Sequence, residues 1–382
     1  MHILIIPSWY PSHPQDVSGV FFRDQAIALK QSGHTVGVLA PKLDRLKTVV
    51  SLWSTEQSAR YEYDEGIPTY RNSTMSYLPR IPYGNSWFML RLGRKMFETY
   101  LKQQGMPDVI HAHSAIYAGV IARDISLQHN IPYVVTEHSS HFGRHLYLPW
   151  QHQLAQSVFA SAAKKIAVSR ALKDNIVAIM PQLDSLWEYI PNVVSERFAI
   201  QKTPAASRLT FFNLAIMTPN KGQDVLLKAF SLVLSKGLDA QLVLGGDGPF
   251  AATLKALAKT LKITKNVTFL GNVTPSKVPE LINQSDIMVV SSYQETFGVV
   301  VAEALMCGIP VVSTRCGGPE SIIEAGDGIL VQSKNVDALA EGMYKMSTKL
   351  ENFDSNDIRA RAEARFSAEA IAEKLTLMYQ NL

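Results

Sequence analysis

The chain has 382 residues, more than one hydrophobic core usually organises, so we expect two compact domains. Its 47% apolar and 18% charged residues are typical of a globular protein, and no stretch approaches the roughly 20 uninterrupted apolar residues of a membrane span. The net charge of +4 is small and diffuse, which argues against a nucleic-acid partner.

The chain start and the cysteines indicate a compartment. MHILIIPSWYP has an apolar run of four residues before a proline and no basic segment, so it predicts a first strand and not a secretion signal. Cys307 and Cys316 fit neither a disulfide framework nor a zinc spacing, which favours a reducing environment. We expect a cytoplasmic protein.

The two halves of the chain differ in charge. Residues 1–195 hold 18 Lys and Arg against 14 Asp and Glu, whereas residues 196–382 hold 19 of each kind. All ten histidines lie at or before His152. The halves are therefore expected to do different chemistry.

Short β-branched runs alternate with helical patterns along the chain and predict parallel sheets with helices on both faces. In the first half these runs lie at 2–6, 34–40, 108–113, 132–138 and 164–169. They restart at 209–215, 240–246, 266–271, 286–292, 310–314 and 328–331.

This pattern predicts an α/β protein of two Rossmann-like, doubly wound parallel-sheet domains that face each other across a cleft. The first domain is expected over 1–195 and the second over 196–365, with a linker at about 195 to 207. The apolar spacing of 366–382 predicts a last helix that packs back on the first domain.

The most informative segment is SSYQETFGVVVAEALMCGIPVV, in which Glu295 and Glu303 are separated by seven residues. Gly298 before an apolar run predicts a helix start at 296–299, whose free amides attract a phosphate. A carboxylate among apolar neighbours, as at Glu303, needs a hydrogen-bond partner such as a sugar hydroxyl. The alternative is that Glu303 pairs within the core and Glu295 is a solvated cap.

This segment resembles the E-x7-E motif of glycosyltransferase family 4, whose members are retaining enzymes of the GT-B fold, and the resemblance spans nearly the whole chain. The other matching segments are Ser18-Gly19-Val20-Phe21, DVIHAH, VVTEH, AVSRAL, IPNV, TPNKGQDVLLKAF, LVLGGDGP, VTFLGNV and CGGPESI. In this order they are specific, although each alone is weak.

The resemblance implies how the donor, a nucleoside diphosphate sugar, is held. Glu295 would contact the hydroxyls of the donor sugar, Glu303 those of the ribose, and Lys221 the diphosphate. The remaining donor-binding residues implied are Thr296, Phe297, Gly298 and Val299 at the helix start, Gly19 from the first loop, and Gly246 and Asn272 beside the base.

Histidines of the first half supply further candidates. His113 ends a predicted strand and matches the family histidine that reaches the donor sugar, whereas His111 is expected to lie deeper as a core residue. His138 and Arg170 are interpreted as acceptor or phosphate contacts, with polar loop packing as the alternative. The histidines after residue 110 leave a metal site as a further alternative, but they lack a recognisable ligand spacing.

One position departs from the family pattern. Where the family usually has an arginine five residues before the lysine, this chain has Ile216. Either another cation such as Arg23 substitutes, which we favour, or Lys221 and the helix start suffice, or the enzyme is weak or inactive.

The expected reaction needs no metal, because no two aspartates lie two residues apart as in a D-x-D metal clamp. Preorganised amides and a lysine would stabilise the leaving diphosphate instead. No carboxylate is clearly placed as a glycosyl nucleophile, so we expect front-side displacement with retention.

The acceptor is expected to be a saccharide or a lipid-linked saccharide. Segment 86–102 mixes aromatic and basic residues, which suits peripheral contact with the cytoplasmic face of a membrane, although a helix beside a buried strand needs an apolar face too. On family frequency, UDP-sugars are the first expected donor and GDP-mannose the second. A periplasmic binding module, a sugar-nucleotide epimerase and an inactive homologue remain as alternatives.

Overall fold

The structure, a computed structural model, describes residues 1–13, 16, 18–44, 60–78, 81–201 and 208–382. The chain forms two compact units, one of Met1–Val193 with Ala368–Leu382 and one of Val194–Ser367. Of the linker expected at about 195 to 207, residues 202–207 lie outside the described residues.

The strands of the first unit are β1 (His2–Pro7), β2 (Thr35–Asp44), β3 (Arg60–Asp64), β4 (Ile67–Met75), β5 (Val109–His113), β6 (Tyr133–Glu137), β7 (Lys164–Ala167) and β8 (Trp187–Tyr189). They form a sheet in the order β3-β4-β2-β1-β5-β6-β7-β8. Neighbouring strands run parallel except for β3 and β4, which form an antiparallel hairpin at the edge.

Helices cover this sheet because its central strands are apolar throughout and need burial on both faces. Ile3, Leu4, Ile5 and Ile6 of β1 are all fully buried. The helices between the strands are α1 (Val20–Gln31), α2 (Gly84–Gln104), α3 (Val120–His129), α4 (Pro149–Ser161) and α5 (Arg170–Ile179).

The second unit is built in the same way on a wholly parallel sheet. Its strands are β9 (Leu209–Leu214), β10 (Ala240–Gly245), β11 (Val267–Gly271), β12 (Ile287–Val290), β13 (Val311–Thr314) and β14 (Gly328–Val331), in the order β11-β10-β9-β12-β13-β14. Its helices are α6 (Gln223–Ser235), α7 (Ala251–Thr260), α8 (Val278–Asn283), α9 (Val299–Met306), α10 (Val336–Ser347) and α11 (Ser355–Phe366).

Three arginines of α11 fasten this helix to its unit. The Asp327 carboxylate, which is fully buried, accepts hydrogen bonds from Arg361 Nε at 2.7 Å and from Arg365 Nη2 at 2.6 Å. Arg359 Nη1 donates to the carbonyl of Met306, the last residue of α9, at 2.6 Å. Helix α11 therefore fixes the C-terminal end of α9.

The last helix, α12 (Ala368–Gln380), belongs to the first unit and packs against α1. Its buried residues follow helical spacing, which gives it one apolar face. They are Ile371, Ala372, Leu375, Met378 and Tyr379. A side-chain contact adds to this packing, since His34 Nε2 lies 2.7 Å from Thr376 Oγ1.

Within the described residues, no helix is both long enough and apolar enough to cross a bilayer. Helix α2, with 21 residues, reaches the required length, but the exposed Arg91, Arg94 and Lys95 interrupt it. Its apolar side is already used, because residues such as Met96 and Phe97 pack inside their own unit.

Three histidines lie inside the first unit. His111 and His113 are fully buried and His138 is 9% exposed, so His111 is the core residue expected and His113 is also enclosed. Burial lowers the pKa of His111 and of His138 to about 3, and that of His113 well below its usual value, with the other two rings adding to the shift at His113. In the folded state these rings are therefore neutral at physiological pH.

We expect the free energy of unfolding of the first unit to fall as the pH is lowered below 6.5, the ordinary pKa of histidine. Below that pH the unfolded chain binds protons that the folded chain does not, which gives a slope of about 1.4 kcal/mol per pH unit for each buried histidine. Urea unfolding followed by tryptophan fluorescence measures this unit, because all five tryptophans lie at or before Trp187.

Two variants isolate this contribution. His138→Asn should reduce the slope by one histidine's share, whereas His145→Asn, at an exposed position, should leave it unchanged. The buried carboxyl of Glu137 works in the opposite direction, because burial raises its pKa, but it does so equally in all three proteins. Equal slopes for the wild type and His138→Asn would contradict the prediction.

Candidate active site

The strand order of the second unit locates its ligand-binding edge. The chain runs outwards from β9 in one direction and from β12 in the other, so the order reverses between these two neighbours. Ligands of doubly wound sheets bind at the carboxyl ends of the strands beside such a switch point. Residues 215–222 follow β9 and residues 291–298 follow β12, so two of the segments singled out from the sequence meet at this edge.

Backbone contacts join these two loops closely. Gly222 has a φ of 61°, and a Cβ there would lie 2.1 Å from the Ser291 carbonyl oxygen, so the approach requires glycine. Ser291 Oγ donates to the carbonyl of Lys221 at 2.8 Å, and the amide of Tyr293 donates to the carbonyl of Asn220 at 2.8 Å. The position of Lys221 is therefore set by the loop that carries Glu295.

Lys221 and Glu295 form an ion pair with 2.6 Å between Nζ and Oε1. Ser292 Oγ donates to the same carboxylate oxygen at 2.6 Å. The side chains of Lys221 and Glu295 are 26% and 16% exposed, so the pair is partly desolvated yet reachable. The structure thus brings together the predicted phosphate-binding cation and the predicted sugar-binding carboxylate.

Glu295 is also fixed through its backbone. Its amide donates to the Cys316 carbonyl at 2.7 Å, and its carbonyl accepts from the Gly318 amide at 2.9 Å. A Cβ on Gly318 would lie 2.1 Å from the carbonyl oxygen of Phe297, so this second loop can approach only as glycine. The CGGPESI segment therefore supports the residues that lead into α9.

Helix α9 begins at Val299, and its cap Gly298 has a φ of 88°. Phe297 is buried, whereas Thr296 and Gly298 are partly exposed. The first amides of a helix lack intrahelical acceptors and carry the positive end of its dipole, so this turn suits an anion.

Glu303 lies in the second turn of α9 and is partly buried. Its charge acts on Cys307, since burial and then Glu303 raise the pKa of that thiol to about 12. Burial likewise raises the pKa of Cys316 to about 12. Both thiols are therefore protonated at physiological pH and suit packing better than nucleophilic chemistry.

The other predicted donor-binding residues also lie at this edge. The Gly246 amide donates to the Gly271 carbonyl at 2.8 Å, and Asn272 follows directly as an exposed residue. A Cβ on Gly246 would lie 2.0 Å from the Ala215 carbonyl oxygen, so this loop packs on the segment after β9. The structure therefore places Gly246 between Ala215, which precedes Ile216, and Gly271, which precedes Asn272.

Ile216 is 67% exposed, so an isoleucine stands at the surface where the family usually has its second cation. Sequence reasoning passed over Arg315, which directly follows β13 and precedes the CGG loop as an exposed residue. Its position at the end of a predicted strand was the signal that could have found it.

The switch point of the first unit lies between β1 and β5. After β1, Gly19 caps α1 with a φ of 79°, and a Cβ there would lie 2.9 Å from the Trp9 carbonyl oxygen. Ser8 joins the loops after the two strands, because its amide donates to the His113 carbonyl at 3.2 Å and its hydroxyl to the Ile116 carbonyl at 2.6 Å.

The loop after His113 is strained. Ser114 has a φ of 73° and Tyr117 a φ of 66°, values that non-glycine residues adopt rarely. Ser114 is almost fully buried. Such strain is concentrated at functional sites, where surrounding contacts maintain it.

Glu137 was not identified from the sequence, yet its buried carboxylate organises the loops after β5 and β6. It accepts hydrogen bonds from the amides of Ala115 at 2.8 Å, His138 at 2.9 Å and Ser139 at 2.8 Å. Three backbone donors compensate the burial of this carboxylate. Glu137 therefore sets where His138 lies.

His113 is placed at the predicted edge but its ring is enclosed. Its Nδ1 lies 3.0 Å from His138 Nε2, and its Nε2 lies 3.5 Å from the amide nitrogen of Gln25. A sugar contact through this ring requires one of these partners to be exchanged. The role of His113 at the donor sugar stays a prediction.

The two arginines proposed for the first unit differ. Arg170 is the exposed first residue of α5, whose N-terminus Ser169 caps by accepting from the Leu172 amide at 3.1 Å. Arg23 pairs with Asp64 at 3.2 Å and with Glu65 at 2.7 Å. Two carboxylates thus contact the guanidinium of Arg23, and its role as the substitute cation stays a prediction.

Among the described residues, no group of three or more His, Cys, Asp and Glu side chains is arranged to hold a metal ion. The rings of His111, His113 and His138 contact one another and the side-chain amide of Gln25.

Two family models match consecutive parts of the chain. The model for Glycosyltransferase Family 4 matches residues 18–197, and the model for Glycosyl transferases group 1 matches residues 194–363. A Bacillus subtilis protein assigned to teichuronic acid biosynthesis, the glycosyltransferase TuaC, is 27% identical over 408 aligned positions, which cover 100% of this chain and 99% of the relative.

Solved structures show the same architecture. Sucrose-phosphate synthase of Thermosynechococcus elongatus superposes with a TM-score of 0.78 at 19% identity, covering 100% of this chain and 99% of the other. Anabaena HepE in complex with UDP superposes with a TM-score of 0.75 at 20% identity and covers 100% of both chains. The chain therefore has the GT-B fold and belongs to glycosyltransferase family 4, the glycosyl transferases of group 1.

Proposed function

We propose that the protein transfers a sugar from a nucleoside diphosphate sugar to a hydroxyl of a saccharide or lipid-linked saccharide acceptor, with retention at the anomeric carbon, in the synthesis of a polysaccharide or glycoconjugate. The observation that carries this proposal is the Lys221–Glu295 pair beside the start of α9 at a switch point. A UDP-sugar is the first candidate donor, since the similar HepE binds UDP, and GDP-mannose is the second.

The diphosphate is assigned to Lys221 and to the amides of Phe297, Gly298 and Val299. Negative charge grows on the leaving oxygen as the glycosidic bond breaks, and donors already oriented towards that position stabilise it without reorganisation. The Lys221–Glu295 contact of 2.6 Å supports this assignment, because it keeps the lysine at the binding edge.

The motif carboxylates are assigned to hydroxyls of the donor, with Glu295 on the sugar and Glu303 on the ribose. Ser292 Oγ donates a hydrogen bond to one carboxylate oxygen of Glu295. This contact fixes the orientation of the carboxylate and therefore also the position of its other oxygen. Thr296, Gly246 and Asn272 complete the donor-binding set.

The first unit is assigned the remaining contacts. Gly19 lets the backbone approach the phosphates, and His113 serves the donor sugar. His138 and Arg170 are assigned to the acceptor or a phosphate. Arg315 joins Arg23 as a candidate for the cation missing at Ile216, because it is exposed and directly follows β13, the neighbour of β12.

The proposed reaction is a front-side displacement. The bond from the anomeric carbon to the diphosphate oxygen breaks while the acceptor oxygen bonds the same face, and the departing oxygen takes the acceptor's proton. Configuration is thereby retained without a covalent sugar–enzyme intermediate.

Lys221→Ala should lower kcat on the order of a hundredfold to a thousandfold, as expected when one preorganised donor is lost from the leaving group. The measurement is turnover with a panel of UDP- and GDP-sugars. Lys228→Ala, at an exposed position of α6, is the matched control and should behave as wild type. Turnover of Lys221→Ala within a few-fold of the wild type would remove Lys221 from the phosphates.

The same assay tests metal independence. Excess EDTA should leave turnover within about twofold, because amides and a lysine take the place of a cation. A collapse of turnover that Mg²⁺ or Mn²⁺ restores would refute this part. Product analysis in the assay also separates the alternatives, since an epimerase converts the donor without an acceptor and an inactive homologue gives no product.

A membrane-linked acceptor is supported by an aromatic rim, the exposed residues Tyr77, Leu78, Ile81, Tyr83 and Trp87 at the start of α2. Their exposed fractions lie between 37% and 54%. The rim, and not the buried apolar face of 86–102, is the proposed contact with the cytoplasmic face of a membrane.

Basic residues accompany this rim. The guanidinium of Arg91 lies 5.8 Å from the ring centroid of Trp87. In a second segment, Arg144 is exposed and is followed by the exposed Leu146 and Leu148. The ring centroid of Tyr83 lies 5.2 Å from that of Trp150, which joins the rim to this second segment. Cations beside exposed aromatic rings favour an anionic bilayer surface.

The protein should cosediment with phosphatidylglycerol vesicles at low salt, and the double variant Tyr83→Ser/Trp87→Ser should remain in solution. Leu127→Ser, which removes a leucine that is 67% exposed on α3, is the control and should bind as wild type. Absence of wild-type binding at low salt would remove the membrane contact without affecting the transferase assignment.

A further inference from the structure

A chain of hydrogen bonds runs through the interior of the first unit, from the last helix to the binding edge. Tyr379 Oη lies 2.5 Å from His111 Nδ1, and the amide nitrogen of Gln25 lies 3.3 Å from the same atom. Gln25 also reaches His113 Nε2 at 3.5 Å, and His113 Nδ1 lies 3.0 Å from His138 Nε2. We call these five residues the histidine cluster.

Packing holds the cluster rigid. The rings of His111 and His113 stack with centroids 4.3 Å apart, and Phe22 lies 4.7 Å from the His113 ring. Gln25 is 4% exposed and Tyr379 is 2% exposed. Burial excludes bulk water from these hydrogen bonds, so the donor and acceptor roles of the contacting atoms depend on one another.

The donors of Gln25 determine the protons on the rings. An amide NH2 group only donates, so His111 Nδ1 and His113 Nε2 both accept and carry lone pairs. His111 then bears its proton on Nε2 and donates to Thr136 Oγ1, 2.7 Å away. His113 bears its proton on Nδ1 and donates to His138 Nε2.

We propose that Gln25 and Tyr379 are positioning residues that hold His113 as the Nδ1–H tautomer, so that its Nε2 lone pair accepts a hydrogen bond from a hydroxyl of the donor sugar. The participation of His113 at the sugar rests on the proposed function. The tautomer itself depends only on the cluster. A sugar hydroxyl then replaces the amide of Gln25 at Nε2 of His113. Of the two contacts that the Gln25 amide makes, this one is the longer and therefore the weaker.

The proposal assigns a role to the C-terminal helix. Tyr379 lies in the last turn of α12 and is linked to the binding edge through His111. Its hydroxyl donates to the same nitrogen as Gln25 and so keeps the His111 ring in place beside His113. Loss of this hydroxyl should therefore change the environment of the His113 ring, although Tyr379 makes no hydrogen bond to His113.

The test is proton–nitrogen correlation NMR of protein labelled with 15N-histidine, without substrate, with His113 assigned by His113→Asn. The two-bond pattern distinguishes a protonated Nδ1 from a protonated Nε2. We expect the Nδ1–H pattern for His113 in the wild type and an added Nε2–H population in Gln25→Leu. Tyr379→Phe should shift the His111 and His113 signals, whereas Tyr100→Phe, which removes a hydroxyl bonded to His2, should not.

In the transferase assay, Gln25→Leu should lose about tenfold in kcat, the effect of one hydrogen bond, with thermal unfolding measured to correct for misfolded protein. An Nε2–H pattern for His113 in the wild type, or an unchanged pattern in Gln25→Leu, would overturn the proposal. If the wild type shows the Nδ1–H pattern but transfers no sugar with any donor, the proposed function fails while the tautomer assignment stands.

Discussion

The geometry of the second unit depends on one close approach, that of the Lys221 turn to the loop carrying Glu295. Only glycine fits at position 222 against the Ser291 carbonyl. The approach brings Nζ of Lys221 to 2.6 Å from the Glu295 carboxylate. The parallel sheet makes this possible, because β9 and β12 are neighbours and end at the same edge. A cation and a carboxylate that are far apart in sequence are therefore held ready in one place.

The ion pair also explains how Glu295 can be kept partly desolvated. A carboxylate that is 16% exposed is costly unless charges and hydrogen bonds compensate it, and Lys221 and Ser292 supply both. A bound diphosphate would compete with Glu295 for the lysine and leave the carboxylate to sugar hydroxyls. In the proposed function, binding of the diphosphate and binding of the sugar would thereby be coupled through the side chain of Lys221.

The first unit uses a different device at its own switch point. Neutral buried histidines, a strained turn at Ser114 and the carboxylate of Glu137 hold the loops after β5 and β6 without a free charge. Three of the ten histidines of the first half form this interior network. The second unit, which has no histidine, relies on glycines and an ion pair.

The local pattern of the sequence determined much of the secondary structure and the fold of this protein. Hydrophobic periodicity predicted every strand of the second unit to within two residues, because buried parallel strands are continuous apolar segments. In the first unit it predicted five strands and missed β3, β4 and β8, which lie at or next to the edges of the sheet and are less apolar. The ordered motifs indicated the GT-B fold and the family. The tertiary structure alone decided which charges are neutralised: Arg23 meets Asp64 and Glu65, Lys221 meets Glu295, and His113 is enclosed by Gln25 and His138. Such pairings join residues tens to hundreds of positions apart, so they follow from strand order and packing, which no local pattern encodes.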